Sequence, residues 1–209
     1  MKTYVCKKIN GKIKIDGNLD KPEWSQAQEV KLVDTVTGET PMQETGARLL
    51  WNDEFLYVAF ECKDTYINAT LTEYNSPIYN EEVVEIFLDD DRDLKTYIEI
   101  EVSPLNTLLH YAVHNNLQGA TLTFARVGKT IESAVRRNDE AGIWSVEMAI
   151  PFSEFVTAPN NPPKPGDRWL ANLYRIDRSE DGKDEYTAWS PTGKVQYHIP
   201  EAFGELVFE

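Results

Sequence analysis

Two short stretches in the middle of the chain alternate strictly between two kinds of side chain. In residues 83–88 and 97–102, positions two apart share a face, which is the period of a β-strand. One face of the pair is aliphatic and the other carries carboxylates and aromatic rings. Val84, Ile86, Leu88, Ile98, Ile100 and Val102 form the first face, and Val83, Glu85, Phe87, Tyr97, Glu99 and Glu101 form the second. The charged residues 89–93 between the runs predict a β-hairpin turn. We expect the aliphatic face to pack into a sandwich core and the other face to be free to bind something.

Similar runs fill most of the remaining sequence. They cover residues 3–9, 12–15, 30–33, 47–51, 55–62, 107–113, 130–135, 144–150, 169–177, 186–189 and 204–208. One or two short helical turns are expected, after Asp20 and at residues 151–155, where capping residues and prolines cluster. Many short strands separated by turn residues predict an all-β fold. We therefore expect one domain over residues 1–209, a β-sandwich of jelly-roll or immunoglobulin-like kind with roughly ten to twelve strands.

The net charge of the chain argues against two classes of binding partner. Its 209 residues include 21 Lys and Arg against 35 Asp and Glu, a formal charge of −14. Nucleic acids and anionic membranes are polyanions, so neither is expected as a partner. No apolar run approaches the roughly 20 residues that span a bilayer.

The first six residues bear on the cellular location of the protein. Residues 1–6 run directly into a strand-like pattern, so we expect no signal peptide and a cytoplasmic location unless a leader has been removed.

The two cysteines, Cys6 and Cys62, are too few for a disulfide scaffold or a zinc site. Two buried free thiols are the favoured interpretation, and a Cys6–Cys62 bridge is the alternative.

No catalytic constellation emerges. Glu99 and Glu101 share a strand face, which puts their carboxyl groups about 6–7 Å apart, near the range of inverting glycosidases. A glycosidase needs its two groups on opposite sides of the substrate, which one strand cannot arrange. Nucleophile-elbow, P-loop and dinucleotide-binding motifs are absent from the sequence. We therefore expect no enzymatic activity and no catalytic residues.

The acidic turn has two interpretations. Asp89, Asp90 and Asp91 could hold a calcium ion, because calcium binds several oxygen ligands. The turn lacks the spacing and glycine of an EF-hand loop, so a solvated hairpin tip is the other interpretation. No cofactor is required in either case.

Aromatic residues favour a sugar ligand. The chain has ten Tyr and five Trp, and several of them fall in predicted loops: Tyr66, Tyr74, Tyr79, Trp189 and Tyr197. We expect these loop rings to be exposed, and flat exposed rings suit the C–H faces of sugars, with polar groups around the edge for the hydroxyls.

Seven segments together resemble family 9 carbohydrate-binding modules and their family 9-like relatives. They are IDGNLDKPEW at 15–24, RLLWNDEFLYVAF at 48–60, VEIFLD at 84–89, YIEIEVSPLN at 97–106, WSVEMAIPF at 144–152, NLYRID at 172–177, and WSPT through FG at 189–204. Their order and spacing cover nearly the whole chain. Much of this family is secreted, and some members carry structural calcium, which would fit the acidic turn.

The resemblance implies a β-sandwich that binds carbohydrate without cleaving it. In the family two aromatic residues clamp a terminal sugar, at positions occupied here by Tyr79 and Tyr197. Asn80 and Lys194 fall at polar contact positions beside the clamp, and Tyr174 falls where the family uses a side-chain amide. Two departures bear on the ligand, since tyrosine replaces the tryptophan of the well-known members and Glu101 replaces a basic residue. The candidate ligand-binding residues are Tyr79, Asn80, Glu99, Glu101, Asn172, Tyr174, Lys194 and Tyr197.

Three functions remain open from the sequence. Binding of an oligo- or polysaccharide, with the chain end held between the two tyrosines over the acidic face, is the first. A protein-interaction or assembly module that kept the fold and lost the sugar is the second. An enzyme that uses the acidic face is the third and least supported.

Overall fold

The computed structural model describes residues 1–209 and is almost entirely β-structure. Its fourteen strands are β1 Thr3–Lys8, β2 Val30–Lys31, β3 Val33–Asp34, β4 Thr45–Trp51, β5 Phe55–Lys63, β6 Val83–Asp89, β7 Thr96–Val102, β8 Leu108–Asn115, β9 Thr121–Ala125, β10 Glu132–Asn138, β11 Ile143–Pro151, β12 Arg168–Asp177, β13 Glu185–Ala188 and β14 Gly204–Phe208. Four three-residue 3₁₀ turns lie at Trp24–Gln26, Ile78–Asn80, Phe152–Glu154 and Pro200–Ala202. No helical segment has the length and apolar character needed to cross a membrane.

One strand joins two sheets. The order is β10-β11-β5-β4-β1-β14-β12-β6-β7-β8-β9. The first half of β1 pairs with β14 through Thr3 to Cys6, and its end pairs with β4 through Lys7 and Lys8. We call the β9-to-β14 side the front sheet and the β4-to-β10 side the back sheet. β13 and β3 extend the front sheet beside β12, and β2 pairs with β4 in the back sheet.

The two sheets face each other across one apolar core. Aliphatic residues of the front sheet pack against those of the back sheet, among them Ile86, Ile100 and Leu173 from the front and Leu49, Val58 and Val146 from the back. This packing confirms the predicted β-sandwich. Fourteen strands exceed the predicted ten to twelve. The 30–33 run divides into β2 and β3, which pair with different sheets. The prediction also missed β9, although Leu122 and Phe124 alternate with two threonines there. The strand predicted at 12–15 is absent from the structure.

The predicted faces of the hairpin are confirmed. Ile100 and Val102 are fully buried in the sandwich core, and Ile98 packs half-buried against it. Glu99 and Glu101 point to the opposite face of the front sheet. A second apolar cluster covers part of that face, where Tyr197 and Phe203 pack against Phe87 and Leu109 of the sheet. The carboxylates are therefore buried outside the sandwich core.

Both cysteines agree with the favoured interpretation. Cys6 and Cys62 are free thiols with buried side chains. Cys6 belongs to β1 and Cys62 to β5, and both pack within the sandwich core.

Candidate functional site

A pocket of about 290 Å³ opens on the outer face of the front sheet. Its floor comes from three adjacent strands, β6, β7 and β8. Glu85 of β6 lies opposite Glu101 of β7, and Glu99 lies between Phe87 of β6 and Tyr111 of β8. Because cross-strand neighbours point to the same face, these five side chains converge on one place.

The walls come from loops and edge strands. The remaining lining residues are Tyr79, Thr123, Ile176, Tyr186 and the segment Val195, Gln196, Tyr197 and His198. Tyr79 lies in the 3₁₀ turn before β6, and the Arg178 side chain donates to the Tyr79 backbone carbonyl at 3.0 Å. The predicted clamp residues therefore line one pocket with both predicted glutamates.

Tyr79 and Tyr197 have different environments. The ring of Tyr79 is 40% exposed, whereas Tyr197 is 8% exposed. The hydroxyl of Tyr197 donates to the backbone carbonyl of Arg175 at 2.8 Å. The expectation that both rings are exposed loop side chains is correct for Tyr79 and wrong for Tyr197, because Tyr197 packs against β12.

Asn172 and Tyr174 lie behind the pocket wall instead of lining it. Both are fully buried. The Asn172 amide donates to the Tyr174 hydroxyl and to the Ser190 carbonyl, each at 2.8 Å. The Tyr174 hydroxyl donates to the Tyr197 backbone carbonyl at 3.1 Å. These two residues therefore hold the segment that carries Tyr197, and the sequence alone did not distinguish this role from ligand contact.

Asn80 and Lys194 are exposed and do not line the pocket. Lys194 borders a neighbouring depression that shares Gln196 and His198 with the pocket. Neither residue is brought together with the other candidates in this structure.

The floor brings three carboxyl groups together, one more than the predicted pair. One oxygen from each of Glu85, Glu99 and Glu101 lies within 4.8 Å of the others. Burial raises the pKa of Glu99 to about 7 and raises the pKa values of Glu85 and Glu101 well above their usual range.

Among the lining residues His198 is the only base. Its Nδ1 lies 2.8 Å from the Tyr97 hydroxyl, and burial lowers its pKa to about 4. It is therefore neutral at pH 7, and no cationic side chain lines the pocket beside the three carboxyl groups.

Glu85 and Tyr111 are pocket residues that the site prediction omitted. Glu85 was assigned to the correct face, but its position opposite Glu101 depends on the hairpin register. Tyr111 shares its strand face with Leu109 and Val113, which pack in the second apolar cluster. This shared face would have indicated Tyr111 once β8 was paired with β7.

The acidic turn brings together a different trio from the predicted one. Asp89, Asp91 and Asp93 each place one oxygen within 4.8 Å of the others. Asp90 points away and accepts a hydrogen bond from the Thr157 hydroxyl at 2.7 Å, because successive side chains alternate in an extended segment. The Asp89 carboxylate already accepts the backbone N–H groups of Arg92 and Leu94 at 2.6 and 2.9 Å. These two bonds link the ends of the turn, and calcium there stays a prediction.

A family profile matches most of this chain. The family is described as "Carbohydrate family 9 binding domain-like", and the match covers residues 15–209. The chain belongs to this family. The family name describes binding domains. In this family 9 domain, the features that bear on binding are the β-sandwich and its pocket.

Curated relatives differ in length. An "Extracellular protein" of Arthroderma benhamiae is 29% identical over 189 residues, covering 83% of this chain and 82% of the relative. "Endo-1,4-beta-xylanase A" of Thermotoga maritima is 25% identical over 194 residues. That match covers 92% of this chain and 16% of the xylanase, so the likeness concerns one part of a much larger enzyme.

Solved structures share the fold of the family 9 domain. The crystal structure of a putative carbohydrate-binding protein from Bacteroides uniformis superposes with a TM-score of 0.80 at 19% identity, covering 100% of this chain and 99% of the other. A family 9 carbohydrate-binding module from Caldicellulosiruptor kristjanssonii, in complex with cellotriose, gives a TM-score of 0.68 at 21% identity, covering 100% and 94%.

Proposed function

We propose that this family 9 domain binds the end of a carbohydrate chain, without cleaving it, in the pocket between Tyr79 and Tyr197. The observation that carries the proposal is the composition of the pocket: aromatic walls stand over a floor of carboxylates. Aromatic rings remove the C–H faces of a sugar from water. Carboxylates accept hydrogen bonds from its hydroxyl groups.

The structural neighbours support a gluco-configured ligand as the first to test. The Caldicellulosiruptor module was solved in complex with cellotriose and also with glucose. The pocket here, about 290 Å³, falls at the lower end of ligand-site volumes of roughly 300–1,000 Å³. Such a volume favours one terminal sugar ring over a long internal stretch of polysaccharide.

The arrangement of the carboxylates supports binding without hydrolysis. Glycosidases place two carboxyl groups on either side of the scissile bond, about 5–5.5 Å or 6.5–9.5 Å apart. Here the three carboxyl groups cluster on adjacent strands of one floor, with one oxygen of each within 4.8 Å of the others. No opposed pair flanks the space that a ligand would occupy.

Calorimetry with glucose, cello-oligosaccharides and xylo-oligosaccharides tests the proposal on wild type, Tyr79→Ala and Tyr66→Ala. Loss of about 50–80 Å² of ring contact is worth roughly 1–2 kcal/mol, or about tenfold in affinity. Tyr79→Ala should lose that affinity with little change in melting temperature, because the ring is 40% exposed. Tyr66→Ala is the control, since Tyr66 is 43% exposed and does not line the pocket.

Two results would overturn the proposal. Equal affinity of wild type and Tyr79→Ala would show that the sugar binds elsewhere. Failure of wild type to bind any member of a broad glycan panel, in calcium-containing buffer, would favour the protein-interaction module instead.

A further inference from the structure

The pocket floor holds buried carboxylate oxygens that no group of the chain satisfies. Both oxygens of Glu101 and one oxygen of Glu99 are shielded from solvent and have no hydrogen-bond partner. Glu101 is 0% exposed and Glu99 is 5% exposed. Burying an ionised carboxylate without a partner costs several kcal/mol, so Glu101 keeps its proton, in line with its raised pKa, unless a cation compensates its charge.

A second buried trio of carboxylates shows how this chain meets the same need elsewhere. Asp64, Glu82 and Asp177 also place oxygens within 4.8 Å of one another. There the Arg175 guanidinium lies among them and donates to all three. The Trp144 indole N–H adds a further bond to Asp64 at 2.8 Å. The pocket floor has the same number of buried carboxylates, but neither Lys nor Arg lines the pocket.

We infer that Glu85, Glu99 and Glu101 form a divalent-cation site at the pocket floor, and that calcium is the ion it takes. Two oxygens that each lie about 2.4 Å from one calcium ion are at most about 4.8 Å apart, and the three glutamates meet that limit. All three donors are hard oxygen atoms, which suits calcium better than metals that prefer nitrogen or sulfur.

The ion would also contact the ligand. Calcium takes six to eight oxygen ligands, and three glutamates on one floor leave the side facing the pocket open. Hydroxyl oxygens of a sugar between Tyr79 and Tyr197 would complete that side. This second part rests on the proposed function, whereas the ion site itself does not.

Calcium titration of the EDTA-treated protein, followed by calorimetry and by tyrosine-sensitised terbium luminescence, tests the site without any sugar. Wild type should bind one calcium ion at the floor, and calcium should raise its melting temperature by mass action. Glu101→Gln should weaken this binding at least about tenfold, because the charge of the ligands sets calcium affinity. This variant is nearly isosteric and places no new charge in the floor, so it should fold, which circular dichroism checks. Glu85→Gln provides a second variant at the opposing position.

Asp93→Asn is the matched control, because it alters the acidic turn and leaves the pocket intact. It should keep the calcium binding that Glu101→Gln loses. The opposite pattern, binding lost in Asp93→Asn and kept in Glu101→Gln, would overturn the inference and place calcium at the turn. Absence of calcium binding to wild type would overturn the inference too. So would binding of glucosamine, an organic cation, in EDTA, if no added metal changes that binding.

Sugar titrations in EDTA and in calcium separate this inference from the proposed function. Sugar affinity at least about tenfold higher in calcium is expected if the ion completes the ligand contacts. Equal sugar affinity in the two buffers would overturn the link between ion and ligand. Calcium binding at Glu101 without any sugar binding would uphold the ion site and contradict the proposed function alone.

Discussion

The rings of Tyr174 and Tyr197 stack face to face, with centroids 4.0 Å apart and planes inclined by 12°. Tyr174 is fixed in β12, and Tyr197 belongs to the segment that connects β13 to β14. The stack therefore covers one face of the Tyr197 ring with protein. What remains of that ring contributes to the pocket.

This stack separates two variants of Tyr197. Tyr197→Phe keeps the stacked ring and loses the hydroxyl bond to the Arg175 carbonyl, which should cost about 1–2 kcal/mol of unfolding free energy. Tyr197→Ala removes a buried ring and should cost about 3–5 kcal/mol. Urea unfolding of both variants measures these losses, and sugar affinity should be nearly unchanged in Tyr197→Phe. Equal unfolding free energies for Tyr197→Ala and wild type would contradict the buried environment of the ring.

The sequence predicted the strand faces, because they depend only on the alternation of neighbouring side chains. The faces of Glu99 and Ile100 follow from a period of two, which a folded strand must obey. It did not predict that Asn172 and Tyr174 support the wall from behind, because their surroundings come from a segment that returns to β12 from later in the chain. The place of Tyr111 beside Glu99 needed the pairing of β7 with β8, a long-range fact that composition does not contain.

A buried ion cluster joins the two sheets and makes a stability prediction. Arg175 of β12 is 1% exposed at its side chain and pairs with Asp64, Glu82 and Asp177. It also donates to the Lys63 carbonyl of the back sheet at 2.6 Å. Arg175→Met should lower the unfolding free energy by about 3–5 kcal/mol, because it leaves buried carboxylates without a cation.

Two further variants test the cause of that loss. Arg175→Lys keeps the charge but loses the forked geometry, so its stability should fall between those of wild type and Arg175→Met. Arg168→Met breaks the Arg168–Glu205 pair, whose arginine side chain is 52% exposed, and should cost at most about 1 kcal/mol. Similar urea midpoints for Arg175→Met and Arg168→Met would contradict the role of the cluster.

His110 makes the stability of the domain depend on pH. Its side chain is 0% exposed. Burial is the main cause that lowers its pKa to about 4, while the charge of Glu154 raises this pKa and the charge of Arg126 lowers it further. The unfolded chain binds the proton near pH 6.5, so stability falls as pH drops from about 6.5 towards 4. Between pH 8 and pH 5 this group should cost about 2 kcal/mol of unfolding free energy.

His110→Leu should remove that part of the pH dependence. Urea unfolding at pH 8 and pH 5 should show a smaller difference for His110→Leu than for wild type. The exposed His114 supplies the control variant His114→Leu, which should behave as wild type does. A pH difference in His110→Leu equal to that of wild type would contradict the prediction.

Gly204 and Trp189 meet at the two ends of the segment that carries Tyr197. A Cβ atom at residue 204 would lie 2.4 Å from Trp189 Cζ3 and 2.5 Å from its Cη2, well inside van der Waals contact. Trp189 is 4% exposed, and its backbone N–H donates to the Leu173 carbonyl at 2.8 Å, so the ring has little room to withdraw. Gly204→Ala should therefore cost about 1–3 kcal/mol of unfolding free energy. Because the displaced tryptophan begins the segment that forms one pocket wall, sugar affinity should fall as well.

Gly128→Ala is the control, since the nearest atom to its added Cβ would be 3.7 Å away. Urea unfolding and calorimetry on the two variants check both effects, and a Gly204→Ala protein as stable as Gly128→Ala would contradict the close packing of Trp189.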